Sequence, residues 1–129
     1  MPSPSAFRVL VVDDQLTIRS LVRHSLGQLG IHTVSEAPDG EAALRVMLAG
    51  GPNLIISDYN MPKLDGLGLL RAVRAHQPIR NTAFIMLTGR ADTELVSRAV
   101  QYGVNNYLVK PFAVADLKGK IEAVFGALA

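Results

Sequence analysis

The sequence predicts a doubly wound α/β fold, a five-stranded parallel sheet flanked by five helices. Three observations predict it. Short apolar, β-branched runs alternate five times with stretches whose apolar residues recur at helical spacing. The first, third and fourth runs are nearly continuous in hydrophobicity, as parallel strands covered on both faces must be. Glycines fall where the helices should stop, at Gly30, Gly50, Gly51 and Gly103.

The elements follow in order. Residues 1–6, MPSPSA, are rich in proline and serine and are expected to be a flexible tail ahead of one domain spanning 7–129. FRVLVV (7–12) is the first strand. QLTIRSLVRHSLGQLG comes next, with Leu21, Val22, Ser25, Leu26 and Leu29 on the inner face of a helix. IHTVSEA (31–37) alternates in polarity and forms the second strand. Asp39 caps a helix running to about Leu48, with Ala42, Ala43, Val46 and Met47 inward. NLIIS (53–57) is the third strand. The third helix runs from about Gly66 to His76 and turns Leu67, Leu70 and Val73 inward; Asp65 is its cap and Gly66 eases the turn. TAFIMLT (82–88) is the fourth strand. The fourth helix, Asp92 to Tyr102, points Leu95, Val96, Ala99 and Val100 at the sheet. NNYLVK (105–110) is the fifth strand, and Val114, Leu117, Ile121, Val124 and Phe125 stripe the last helix. There is no internal repeat or linker, and a second domain has no room.

Composition narrows the function classes. The chain has 129 residues, 49% hydrophobic and 19% charged, which is enough apolar content to bury a core and too much for disorder. It has no cysteine, so disulfides and thiolate metal sites are excluded. No apolar run approaches the roughly 18 residues that span a bilayer, and the N-terminus lacks the pattern of a signal peptide, so a cytoplasmic protein without membrane insertion is expected. The formal net charge is +2, but Arg8, Arg19, Arg23, Arg45, Arg71, Arg74, Arg90, Arg98, Lys118 and Lys120 are scattered singly. No basic run marks a nucleic-acid surface.

The chemistry gathers at the strand ends. In open α/β sheets the site lies beyond the carboxyl ends of the strands. The first strand delivers Asp13 and Asp14 there, the third Asp58, the fourth Thr88, and the fifth Lys110 and Pro111. The second ends in Glu36 and Ala37, which suggest no catalysis. Taken singly, each feature has a commonplace explanation: an aspartate after a strand is a turn or cap, and a lone lysine is solvated. Their arrival together on one rim is what those explanations leave over. Three carboxylates in a small space repel, so one stays protonated or a cation is present. A few hard oxygen ligands with room for water suit Mg²⁺. A cation, a lysine and a hydroxyl together can hold the oxygens of a phosphoryl group. One carboxylate could then be a nucleophile that becomes an aspartyl phosphate, and Asp58, alone at the end of the central strand, is the best placed.

VVDDQ with Asp13 and Asp14, SDYNMPKLDG with Asp58, MLTGR with Thr88, and YLVKPF with Tyr107, Lys110 and Pro111 resemble the receiver domains of bacterial two-component response regulators. The resemblance spans about residues 7 to 126 and is nearest to the stand-alone, chemotaxis-type (CheY-like) receivers. It implies strand order 2-1-3-4-5 and phosphorylation of Asp58 by the phosphohistidine of a sensor histidine kinase or a histidine phosphotransfer protein. It implies that Asp14 and Asp58 ligate Mg²⁺ directly, Asp13 largely through water, and Asn60 through its main-chain carbonyl. It implies that Thr88 bonds a phosphoryl oxygen, that Lys110 pairs with the phosphoryl group, and that the bond between Lys110 and Pro111 is cis. Tyr107 resembles the switch aromatic that turns inward with Thr88, altering the surface of the fourth helix, fifth strand and fifth helix. Asn60 and Arg90 occupy positions where family members vary and phosphoryl lifetime is tuned. Gly89, a small residue after Thr88, should leave the pocket open.

The implied partner downstream is a flagellar motor switch or another regulator, engaged by a monomer or by a weak, phosphorylation-dependent dimer. Self-catalysed phosphotransfer and autodephosphorylation are expected rather than enzymatic turnover. Two other readings compete. A haloacid dehalogenase-type phosphatase also uses aspartate, Mg²⁺, threonine and lysine, but with an Asp-x-Asp nucleophile on the first strand, where this chain has Asp-Asp-Gln. A constitutive docking module would not need the complete set of acids, threonine and lysine.

Overall fold

The computed structural model describes residues 2–89 and 93–129. Five strands form one parallel sheet in the order β2-β1-β3-β4-β5. The strands are β1 (Arg8–Val12), β2 (Thr33–Ala37), β3 (Leu54–Asp58), β4 (Ala83–Thr88) and β5 (Asn106–Val109). The helices are α1 (Leu16–Gln28), α2 (Gly40–Ala49), α3 (Gly66–Ala75), α4 (Thr93–Gln101) and α5 (Val114–Phe125). This is the expected doubly wound architecture, with β1 and β3 adjacent at the centre.

Alternation along the strands divides the core in two. Val9, Val11, Leu54, Ile56, Ile85 and Leu87 face one layer with Val22 and Leu26 of α1 and Leu117 and Ile121 of α5. Leu10, Val12, Ile55, Phe84 and Met86 face the other with Ala43 and Met47 of α2 and Leu69, Leu70 and Val73 of α3. Every residue of β3 and β4 is buried, so the apolar runs NLIIS and TAFIMLT have the reason assigned to them. β2 alternates because it is an edge strand with one face towards solvent.

Helix starts follow the caps read from the sequence. Asp39 Oδ1 accepts the Ala42 N–H at 2.8 Å, and Asp65 Oδ1 accepts the Gly68 N–H at 2.8 Å. Gly66 is needed for a different reason than turn flexibility. A Cβ there would lie 2.3 Å from the Asp58 carbonyl oxygen, so α3 can start against the end of β3 only without a side chain.

Two expected core positions are corrected. Val100 is 62% exposed and Leu21 is 44% exposed, whereas Leu95 and Ala99 in α4 and Val22, Ser25 and Leu26 in α1 are buried. Val100 and Leu21 sit at the edges of their helices' apolar stripes, one step of about 100° beyond a buried neighbour. Near the N-terminus, Pro4–Ala6 forms a 3₁₀ turn, and the Pro2 carbonyl accepts the Ala129 N–H at 3.0 Å. The expected start of α4 at Asp92 lies outside the described residues, and no described helix is long and apolar enough to cross a membrane.

Candidate functional site

Because all five strands run parallel, their carboxyl ends open on the same rim. Asp13 follows β1 directly and is fully buried, its N–H donating to the Ala37 carbonyl at 3.2 Å. Asp14 beside it is exposed. Asp58 is the last residue of β3 rather than the residue after it, paired with Leu87 of β4 and 7% exposed. Asp13, Asp14 and Asp58 each offer a carboxylate oxygen, all within 4.8 Å of one another. Thr88 closes β4 and is buried. Lys110 follows β5, its N–H bound to the Thr88 carbonyl at 2.7 Å, and its peptide bond to Pro111 is cis.

Lys110 reaches into the acids. Its Nζ donates to Asp58 Oδ1 at 3.0 Å and lies 3.5 Å from Asp13 Oδ2. Burial alone would pull the ammonium's pKa down; the hydrogen bond and charge of Asp58, then the charge of Asp13, outweigh it, and the net shift is upward. Asp13 is shifted the other way for an acid. Burial pushes its carboxyl above the usual range, the Gln15 N–H at 2.9 Å opposes this, and Asp58 pushes it further up. Its second oxygen, Oδ2, is sealed from solvent and accepts no hydrogen bond among the described residues.

These residues fit a divalent cation. One ammonium, shared between Asp58 at 3.0 Å and Asp13 at 3.5 Å, does not neutralise three carboxylates, and a buried carboxylate is costly where its charge is only partly compensated. An all-oxygen donor set of this size, with one exposed member on the solvent side, matches the preference of Mg²⁺ for carboxylates and retained water.

The remaining expected site residues are Asn60, Tyr107, Gly89 and Arg90. Asn60 sits in the bend after β3, exposed. Tyr107 lies in β5 opposite Met86, half-buried, with the Lys120 ammonium 4.7 Å from its ring centre. With Thr93, Val96 and Ser97 of α4 it lines a cavity of about 240 Å³, room into which a ring could turn. Among the described residues, a Cβ built on Gly89 meets nothing within 4 Å. Arg90 lies outside the described residues.

One pair went unread in the sequence. Arg19 of α1 donates through one guanidinium nitrogen to the Asp13 main-chain carbonyl at 2.6 Å and through Nε to Glu36 at 3.0 Å. Glu36, at the end of the second strand, had seemed chemically idle. The available signal was its position, since an acid at the end of the strand beside β1 stands next to the Asp13–Asp14 loop.

The family model for the response regulator receiver domain matches residues 9–122. The chain belongs to the response regulator receiver domain family. The receiver is 50% identical over 121 residues to a probable chemotaxis protein CheY of Rhizobium etli, covering 94% of each chain. Its fold superposes on chemotaxis protein CheY4 of Vibrio cholerae with a TM-score of 0.85 at 35% identity, covering 92% of the receiver and 98% of that chain. It also resembles the receiver domain of sensor histidine kinase PA1611 from Pseudomonas aeruginosa, solved with a magnesium ion coordinated in the active-site cleft. There the TM-score is 0.83 at 30% identity, covering 94% of the receiver and 98% of that chain.

Proposed function

We propose that the receiver, residues 7–129, accepts a phosphoryl group on Asp58 in a Mg²⁺-dependent reaction and thereby changes its affinity for a partner. The observation that carries this is Lys110 Nζ at 3.0 Å from Asp58 Oδ1, inside a cluster of three carboxylates that a single lysine cannot neutralise. The donor is the phosphohistidine of a sensor histidine kinase or a histidine phosphotransfer protein. An Asp58 carboxylate oxygen bonds to phosphorus as the bond from phosphorus to the imidazole nitrogen breaks, and the nitrogen keeps the electron pair. Lys110 pairs with the phosphoryl oxygens from the position it already holds, and the Thr88 hydroxyl donates to one of them. Asp13, Asp14, Asp58 and the Asn60 main-chain carbonyl hold the metal, which when bound supplies positive charge to the phosphoryl oxygens. Gly89 leaves the rim open to the donor.

Thr88 and Tyr107 are the switch. Drawing Thr88 towards the phosphoryl group vacates space beside β5, and the cavity between Tyr107 and α4 gives the ring somewhere to go. The altered surface of α4, β5 and α5 is then read by a partner in the cytoplasm. The relatives named as chemotaxis proteins favour chemotaxis signalling and, as that partner, a flagellar motor switch. The work is self-catalysed transfer and slow autodephosphorylation, not turnover of a free substrate.

Incubation with acetyl phosphate and Mg²⁺ tests the reading. One phosphoryl group should appear in the intact mass, disappear on chelation of Mg²⁺ during the reaction, and be absent from Asp58→Asn. Uptake of acid-labile phosphate by Asp58→Asn would refute the assignment.

A further inference from the structure

We infer that Arg19 is a positioning residue for the acidic cluster: it holds the Asp13 main chain in place and is itself aimed by Glu36. This deepens the reading of the cluster as a Mg²⁺ site and rests on it.

The loop between β1 and α1 carries two of the three acids, yet α1 does little to fix its own start. Its N-cap, Gln15, makes no side-chain cap, and no acid occupies the first turn. What ties the loop down is a set of bonds made to Asp13 itself. The Asp13 N–H is bound to Ala37 of β2, Asp13 Oδ1 accepts the Gln15 N–H, and the Asp13 carbonyl accepts from Arg19 at 2.6 Å. The last is a charge-assisted bond, stronger than its neutral counterparts. The same guanidinium bonds Glu36 Oε1, and the Arg19 side chain is only 16% exposed, so it is largely shielded from competing water. Glu36 is held in turn, because Arg23 donates to its other oxygen at 2.8 Å and to the Val34 carbonyl at 3.0 Å. The lowered pKa of Glu36, in which the two arginines overcome the cost of burial, keeps this partner charged.

The geometry calls for arginine. One planar fork serves two acceptors on different elements, which a lysine ammonium on a flexible stem does not reproduce. The consequence falls on the metal. Among the described residues Asp13 Oδ2 accepts no hydrogen bond; the carboxylate is held by the Gln15 N–H on Oδ1 and by the Lys110 ammonium 3.5 Å from Oδ2, and both contacts depend on where the main chain that Arg19 grips puts the residue. Partners behind metal ligands typically change affinity by about 10–100-fold when removed.

Arg23 provides the control, since it also pairs with Glu36, at 2.8 Å, while its hydrogen bonds among the described residues run to Glu36 and the Val34 carbonyl and not to Asp13. Mg²⁺ is titrated into wild type, Arg19→Gln, Arg19→Lys and Arg23→Gln, followed by amide chemical shifts, with urea stability measured alongside. Both arginine-to-glutamine changes should lower stability. Arg19→Gln and Arg19→Lys should weaken Mg²⁺ binding about tenfold, and the Asp13, Asp14 and Gln15 amides should move already without metal; Arg23→Gln should bind Mg²⁺ within twofold of wild type. Folded Arg19 variants that bind Mg²⁺ like wild type would overturn the inference. So would an Arg23→Gln variant weakened as much as the Arg19 variants, which would place the effect in the shared pairing with Glu36 rather than in Arg19's bond to the Asp13 carbonyl. Should Arg19→Gln not fold, Arg19→Lys carries the comparison. A wild type with no Mg²⁺ response would instead remove the reading of the cluster on which this rests.

Discussion

At the scale of single residues the site is built against stability. Asp13 is fully buried, its carboxyl is pushed above the usual range by that burial, and among the described residues one of its oxygens accepts no hydrogen bond and faces only the Lys110 ammonium at 3.5 Å. Neutralising it should therefore stabilise the metal-free protein while damaging the site. Asp13→Asn should raise urea stability by on the order of 1 kcal/mol and weaken Mg²⁺ binding; a less stable variant would show that the Lys110 pairing outweighs the burial. Glu36 behaves in the opposite sense. Its carboxyl is opposed by burial but held below its ordinary range by Arg23 and Arg19. Its contribution is fully present above the ordinary glutamate value of 4.5 and is lost as pH falls through the lower folded value. Glu36→Gln should thus cost about 1 kcal/mol at neutral pH, with the gap to wild type closing in acid urea melts below pH 4.5. Asp58, Asp13 and Lys110 were legible in the sequence because strand ends in an open α/β sheet predict a shared rim. Arg19 was not, because an isolated arginine on a helix reads as solvated, and only the side chain's path shows that it bends back to the Asp13 carbonyl.

At the scale of elements, the junction from β3 to α3 decides whether Asp58 is presented correctly. The helix begins hard against the strand it follows. The Gly66 N–H bonds the Tyr59 carbonyl at 2.8 Å, and a Cβ on Gly66 would meet Asp58 O at 2.3 Å and Met86 Sδ at 2.8 Å. Gly66→Ala should cost about 1–3 kcal/mol in denaturant melts, because the first neighbour is backbone and cannot step aside. Gly89→Ala, whose Cβ would meet nothing within 4 Å among the described residues, should leave stability unchanged. Equal melts for the two would mean the junction is looser than drawn. The sequence marked both glycines but not their difference. Helical spacing and turn chemistry reveal where glycine is allowed; only packing reveals where it is required. The same limit explains Val100 and Leu21. Periodicity finds the centre of an apolar stripe, while how far its edges are covered depends on the neighbouring element.

At the scale of the whole molecule, the parallel sheet does two things at once. It collects acids, a threonine and a lysine at one end, and it runs β4 and β5 side by side so that Thr88 and Tyr107 lie on adjacent strands. The buried runs of β3 and β4 made the layered fold readable from hydrophobicity alone, and the strand order followed from the family resemblance rather than from any pattern in the residues. Coupling between the site and the surface of α4, β5 and α5 should appear as a concerted change. Beryllofluoride with Mg²⁺ should shift the amides of Tyr107 and α4 while leaving those of α2, which packs on the same face but over β1 and β2 at the edge away from β5, nearly still. Changes confined to the strand ends would leave the switch without support.

The central claim is that Asp58 becomes an acyl phosphate, and chemical trapping tests it most directly. Protein treated with acetyl phosphate and Mg²⁺ is reduced with borohydride, which converts an aspartyl phosphate to homoserine, and the modified position is read by peptide mass spectrometry. The expected result is homoserine at position 58 alone, dependent on both reagents. Homoserine at position 13 or 14, or none at 58 in protein that has taken up phosphate, would contradict the account.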